Sequence, residues 1–260
     1  WLARLSHWGV GACRADDMGL GKTVQALAVI LTRASQGPSL VVAPASVCIN
    51  WFSETARFAP TLNVFQYAGK ERESILSSLG SFDLLICSYG MIQQEGVAEA
   101  LKKINWQTVV LDEAQAVKNM STKRSQAVMS LQAGFRMITT GTPIENHLGE
   151  LWNLFRFLNP GLLGSLESFN RRFAIPIEKN SDRAAKVRLK KMISPFLLRR
   201  MKRDVLEELP EKTEITLHVE LSGKEKAFYE ALRLNAIEKI SGEKGLNTGQ
   251  KHLLILAEIM

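Results

Sequence analysis

The sequence predicts an α/β fold, a mostly parallel sheet with helices on both faces. Three observations carry this. Short apolar runs rich in β-formers alternate with helical stretches through the first 150 residues. The runs are apolar at nearly every position, as strands covered on both faces require. A glycine-bearing turn, Asp16-Asp17-Met18-Gly19-Leu20-Gly21-Lys22-Thr23, joins the first run to the first helical stretch.

The strand candidates are 11–15, 40–43, 63–67, 84–88, 109–112 and 137–140. Stretches 23–33, 47–58, 72–79, 91–103 and 122–131 lie between them and read as helices. From about residue 148 the strand pattern stops. Segments 149–158, 166–173, 183–193 and 224–239 read as helices, with one more strand near 215–220. Pro160-Gly161 and Pro195 punctuate this part as turns or helix ends. Ligands of such sheets bind at the carboxyl ends of the strands.

Composition narrows the classes. With 260 residues, 46% apolar and 23% charged, the chain can bury a core without staples, and whole-chain disorder is excluded. No apolar run approaches the ~20 residues of a membrane helix. The three cysteines are far apart and form no C-x-x-C, so neither a disulfide framework nor a zinc site is supported. A reducing, cytoplasmic compartment is the default expectation. The chain opens at Trp1 without an initiator methionine, and the expectation is a segment of a longer protein.

The net charge of +7 is uneven. Residues 171–203 hold 12 Lys/Arg against 2 Asp/Glu, net +10. Such a tract attracts phosphate backbones, although charge alone fits a solvated helical face equally well.

Three motifs carry chemistry. In the first, Gly19 and Gly21 let backbone N–H groups approach an anion at a helix N-terminus. Lys22 can reach β/γ-phosphates, and the Thr23 hydroxyl can ligate Mg²⁺. The general pattern G-x-x-x-x-G-K-[ST] places glycine where this chain has Asp16. In the second, the apolar run Val109-Val110-Leu111 ends in Asp112-Glu113-Ala114-Gln115. Asp112 can hold Mg²⁺ and Glu113 can deprotonate an attacking water. Asp-Glu after a strand is by itself usually a helix cap; alongside Lys22 and Thr23, metal-assisted phosphoanhydride hydrolysis explains it better. The third, Ile138-Thr139-Thr140-Gly141-Thr142-Pro143-Ile144-Glu145-Asn146, sits at another strand's carboxyl end and taken alone reads as a turn.

These three stretches resemble motifs I, II and III of superfamily-two helicases, and specifically the Swi/Snf-like double-stranded-DNA translocases. Val42-Ala43-Pro44-Ala45-Ser46-Val47 with Asn50-Trp51 is similar to that family's motif Ia, and Tyr67-Ala68-Gly69 with Arg72 to its following strand and loop. Leu151-Trp152, Phe155, Leu158-Asn159-Pro160 and Ser194-Pro195-Phe196-Leu197-Leu198-Arg199-Arg200 resemble stretches that separate it from DEAD-box helicases. Leu209-Pro210-Glu211-Lys212 resembles the approach to a second lobe. The resemblance covers about residues 1–222.

It implies a RecA-like ATP-binding lobe over 1–160, a basic helical protrusion over 161–203, and a return strand and linker over 204–260 toward a second RecA-like lobe. It implies that Asp17, Met18, Gly19, Leu20, Gly21, Lys22 and Thr23 bind ATP, with Mg²⁺ at Thr23 and Asp112 and catalysis by Lys22, Asp112 and Glu113. Thr140, Gly141 and Thr142 would couple nucleotide state to DNA grip. Pro44, Ala45 and Ser46, with Arg188, Lys190 and Lys191 of the basic tract, would contact duplex DNA without regard to sequence. The implied activity is DNA-dependent ATP hydrolysis that drives translocation and remodels a DNA-bound protein, at the nucleoid of a bacterium or in a eukaryotic nucleus. A non-hydrolysing, nucleotide-gated DNA-binding scaffold and a strand-separating helicase are the alternatives. By the same resemblance, arginines for the γ-phosphate come from the second lobe and an adenine-reading glutamine from upstream of Trp1. The family usually has an apolar residue where Arg14 stands, so Arg14 is expected at a sheet edge or strand end.

Overall fold

In a computed structural model of the chain, residues 1–69, 72–143, 147–205, 216 and 221–241 are described. Two compact units appear, Trp1–Glu208 and Leu209–Met260.

Unit one is built on seven parallel strands: β1 (Ala12–Arg14), β2 (Ser39–Ala43), β3 (Asn63–Gln66), β4 (Asp83–Ser88), β5 (Trp106–Asp112), β6 (Ala133–Thr139) and β7 (Leu197–Leu198), in the order β3-β4-β2-β5-β6-β1-β7. Side chains alternate across a strand, so one apolar run feeds two cores. Leu40, Val42, Leu85, Cys87, Val109 and Leu111 join one buried cluster, while their neighbours Val41, Ala43, Leu84, Ile86 and Val110 join the other. The second cluster takes in the apolar stripes of α1 (Leu2–His7), α2 (Lys22–Arg33) and α3 (Ala45–Phe58). The first is closed by α4 (Arg72–Ser78), α5 (Tyr89–Ile92), α6 (Val97–Lys102), α7 (Lys123–Met129) and α8 (Leu148–Leu158).

The last helices have their own core. Leu151, Trp152 and Phe155 of α8 pack with Leu163, Phe169, Phe173, Ala174 and Leu189. Leu163 lies in the turn before α9 (Leu166–Phe169), and the others come from α9, a π-turn at Asn170–Ala174 and α11 (Arg183–Ile193), with Ile177 of α10 (Ile175–Asn180) packed against them. The chain then returns as β7 to pair with β1 and ends this unit in α12 (Lys202–Val205).

Several expected boundaries change. The helix expected at 91–103 is two, α5 and α6, parted at Gly96, whose φ of +76° is left-handed. Strand β7 and helix α1 have no counterpart in the sequence expectations. Arg14 is at a strand end as expected, yet lies inside the sheet between β6 and β7 and is only 1% exposed.

In the second unit, α13 (Gly223–Ser241) starts at a reciprocal cap. Glu225 N donates to Ser222 Oγ at 3.4 Å, and Ser222 N donates to Glu225 Oε2 at 2.9 Å. The Ser222 hydroxyl, which donates to Glu225 Oε2 at 2.7 Å, and the Ser222 N–H hold the Glu225 carboxyl below its usual pKa. The strand expected near 215–220, apart from Thr216, lies outside the described residues, as do 209–212 and Ile144, Glu145 and Asn146.

Candidate functional site

Strand register brings the motifs together. Asp112 pairs with Thr139 across β5 and β6, and Thr139 with Arg14 across β6 and β1, so the carboxyl ends align. The glycine loop leaves β1 at this edge and turns into α2. Gly19 and Gly21 take φ of +84° and +71°, a region where a side chain is strained. Gly21 is the N-cap of α2 and no side chain caps the helix. Its first N–H groups therefore face a cleft of about 570 Å³ lined by Met18, Gly19, Gly21, Lys22, Thr23, Asn50, Asp112 and Glu113, among others.

Lys22 is buried, and its ammonium donates to the Asp16 and Asp17 carbonyls at 2.9 and 3.2 Å. Asp112 is also buried. Its Oδ2 accepts from Trp51 Nε1 at 2.8 Å, and its Oδ1 accepts from Thr139 Oγ1 and from the Glu113 N–H at 3.0 Å. Tyr89 Oη donates to the Asp112 carbonyl at 2.9 Å, and burial, with Asp112 and Glu113 nearby, drives its pKa well above the ordinary tyrosine value. Glu113 has left-handed backbone, φ +48° and ψ +55°, which costs about 1–2 kcal/mol for a residue with a Cβ. Strain of this kind gathers at functional sites.

From Glu113 a polar chain runs to the third motif. Gln115 Nε2 donates to Glu113 Oε2 at 2.9 Å, Thr140 Oγ1 donates to Gln115 Oε1 at 3.2 Å, and Thr142 N donates to Thr140 Oγ1 at 3.2 Å. Gly141 sits between the two threonines, and Pro143 is buried.

The cleft thus unites the first two motifs, with the third joined directly by Thr139 at Asp112 and through Gln115 by Thr140. The expected nucleic-acid residues stand elsewhere. Pro44 caps α3, with Ala45 and Ser46 exposed in its first turn. Arg188, Lys190 and Lys191 are exposed on α11. None of these six lines the cleft. Sequence reasoning missed Trp51 as a partner of Asp112; it lies 61 residues away, and no local pattern links them. A larger hollow, about 640 Å³, lies beside Gln115, but its charged groups are engaged within the fold. Lys118 pairs with Glu150 at 3.5 Å, and Glu178 accepts the Leu148 N–H at 2.6 Å.

The donor set of the cleft suits a phosphate chain with a hard cation: an ammonium, a helix N-terminus, a hydroxyl and two carboxylates. The buried thiols are different; burial pushes Cys13 and Cys87 up to about 12, so they stay protonated and unreactive.

The model of the SNF2-related domain matches residues 1–259. This chain belongs to the SNF2-related family. The SNF2-related chain is 40% identical over 266 residues to the putative ATP-dependent helicase/translocase YwqA of Bacillus subtilis, a match covering 99% of this chain and 28% of that protein. It is 36% identical over 279 residues to the chromatin-remodeling ATPase INO80 of Arabidopsis thaliana, covering 98% and 18%. Among solved structures, the Sulfolobus solfataricus SWI2/SNF2 ATPase core in complex with dsDNA aligns with a TM-score of 0.72 at 37% identity. That alignment covers 100% of the SNF2-related chain and 55% of the core. The chain therefore spans under a third of the length of these two relatives. The parallel α/β architecture agrees with the core's fold.

Proposed function

We propose that this SNF2-related domain is the ATP-binding lobe of a DNA-dependent ATPase that translocates on duplex DNA and remodels a DNA-bound protein. One observation carries the reading: Lys22 and Thr23, opening α2, and Asp112 and Glu113, ending β5, line one cleft. The names of the relatives, an ATP-dependent translocase and a chromatin-remodeling ATPase, support it.

Bound ATP with Mg²⁺ would supply a phosphoanhydride bond and a polarising dication. Met18, Gly19, Leu20 and Gly21 offer main-chain N–H groups to the phosphates, Asp17 opens the loop with its carbonyl on the Lys22 ammonium, and Lys22 offers its charge. Thr23 and Asp112 would hold Mg²⁺; Trp51 and Thr139 fix the Asp112 carboxylate. Glu113, oriented by Gln115, takes a proton from the attacking water at its carboxylate. Thr140, Gly141 and Thr142 read that arrangement through Gln115 and pass it toward the DNA-binding surface. Pro44, Ala45 and Ser46 meet one stretch of phosphate backbone, and Arg188, Lys190 and Lys191 another, in keeping with the dsDNA in the Sulfolobus complex. Among the described residues no arginine lines the cleft, so a second RecA-like lobe is the source of charge on the γ-phosphate. In this reading 1–160 is the lobe, 161–203 the basic protrusion, whose end at β7 rejoins the lobe's sheet, and 204–260 the return strand and linker. The reading places the protein at the nucleoid in a bacterium or in the nucleus of a eukaryote. No described helix is long and apolar enough to cross a membrane.

The test is phosphate release by the intact protein with and without duplex DNA. Duplex-stimulated turnover that vanishes in Glu113→Gln, with nucleotide binding retained, is expected. Binding without turnover in the unaltered protein points to a gated scaffold, and unwinding of a tailed duplex to a strand-separating helicase.

A further inference from the structure

Asp16 occupies the position where the general loop pattern has glycine, and its surroundings explain why a carboxylate stands there. Pairing of β1 with β7 does not stop at the strand ends. Cys13 N donates to Phe196 O at 2.7 Å, Ala15 N to Leu198 O at 2.8 Å and Asp17 N to Arg200 O at 3.1 Å, so the ladder runs into the glycine loop. Between those bonds Asp16, fully buried, collects four donors. Its Oδ1 accepts the Arg200 main-chain N–H at 2.8 Å. Its Oδ2 accepts Arg200 Nη2 at 2.9 Å, Arg200 Nε at 3.2 Å and Arg14 Nη2 at 2.5 Å. One residue on, Asp17 Oδ2 accepts the Lys202 N–H at 3.0 Å. The Lys202 side chain then lies across the loop: a Cβ placed on Gly19 would sit 3.5 Å from Lys202 Cε and 3.6 Å from its Nζ.

We propose that Asp16 is a positioning residue of the nucleotide site: through Arg200 it holds segment 196–202 on the glycine loop, so that nucleotide binding and the placement of that segment form one linked equilibrium. The proposal rests on the nucleotide reading above and adds a residue and a route to it. Charge gives the linkage its sign. Two guanidiniums face one carboxylate, so the cluster carries an excess positive charge, with Arg14 2% and Asp16 0% exposed at the side chain. Arg14 Nε is buried without a hydrogen-bond partner. Burial foremost, with Arg200 adding, depresses the Arg14 pKa, while Asp16 opposes both. An excess cation that is buried at Arg14 and half-buried at Arg200 is relieved by an anion arriving at the neighbouring loop. The Lys202 ammonium, carried in by the same segment, adds to the attraction. A phosphate chain at the loop therefore favours the docked segment, and by reciprocity the docked segment favours the phosphate chain. The segment is also the chain's way out of α8–α11, whose outer surface carries the exposed bases of α11.

Hydrogen exchange in the intact protein tests this, reading the amides of 196–202 with and without a non-hydrolysable ATP analogue and Mg²⁺. Binding of the analogue is followed separately by fluorescence. In the unaltered protein the analogue should slow exchange across 196–202 by roughly fivefold or more. Arg200→Gln alters a side chain that is 40% exposed; it should bind the analogue several-fold more weakly and lose the slowing. Analogue bound by the unaltered protein with exchange at 196–202 unchanged would overturn the proposal alone. So would Arg200→Gln that keeps both affinity and slowing. No binding by the unaltered protein would overturn the nucleotide reading and this proposal together.

Discussion

At the scale of single residues, the cleft is a set of polar groups held still by neighbours that do no chemistry. Lys22 is supported by two main-chain carbonyls, and in the proposed role it exchanges them for phosphate oxygens. Lys22→Ala removes that charge while leaving a residue that favours the helix. Nucleotide affinity should fall about tenfold or more, measured by equilibrium titration, with a loss of stability of about 1 kcal/mol as the Asp16 and Asp17 carbonyls lose their donor. Affinity equal to that of the unaltered protein would remove Lys22 from the site. Trp51 predicts the reverse. Its indole N–H is a donor to a buried carboxylate, and the ring is itself fully buried. Trp51→Phe leaves Asp112 Oδ2 short of that donor and opens a small void, so stability should drop by about 2–3 kcal/mol, read from urea unfolding. A loss under 0.5 kcal/mol would show that the bond contributes little. That Lys22, Thr23, Asp112 and Glu113 gather in one cleft was legible because each sits in a local pattern. Trp51, Tyr89 and Arg200 were not, because each reaches the site from a distant part of the chain.

At the scale of elements, legibility followed burial. Strands β2, β4 and β5 are buried on both faces and announce themselves as apolar runs. Three residues escaped that signal: β5 starts at Trp106 and not at 109, because polar Gln107 and Thr108 interrupt the apolar run, although Thr108 is fully buried. β7 is two leucines within a basic stretch, too short to show a period. Contact between α8 and β1 was invisible for another reason, since it depends on the absence of a side chain. Gly11 N donates to Asn159 Oδ1 at 2.8 Å. A Cβ on Gly11 would lie 2.8 Å from the Leu158 carbonyl carbon and closer still to its oxygen. That neighbour is backbone and cannot rotate away. Gly11→Ala should therefore push α8 off the sheet and cost about 1–3 kcal/mol, visible as a lower thermal midpoint. An unchanged midpoint would mean that the helix end shifts freely.

For the whole molecule, charge and topology matter more than any one contact. Helix α11 carries Arg183, Lys186, Arg188, Lys190 and Lys191 without an acidic residue, behind an Asp182 cap. In the proposed role, duplex affinity should fall with salt by about 0.9 in log–log slope for each phosphate neutralised. Reversing Arg188, Lys190 and Lys191 to glutamate should flatten the slope without disturbing the fold, because all three are exposed. An unchanged slope would identify this face as merely solvated. Topology has a different consequence. The strand that launches the glycine loop stands next to last across the sheet, yet of the seven strands it is synthesised first and completed last. Its neighbours are β6 and β7, and Asp16 meets Arg200, 184 positions further along the chain. A nascent chain emerging from the ribosome can therefore stack β2 through β5 early, while β1 waits for partners still being translated. Such sequence-distant pairing is slow to close. The loop is assembled only when the far end of the unit arrives, so a polypeptide arrested before residue 197 would hold the motif in its sequence and lack it as a structure.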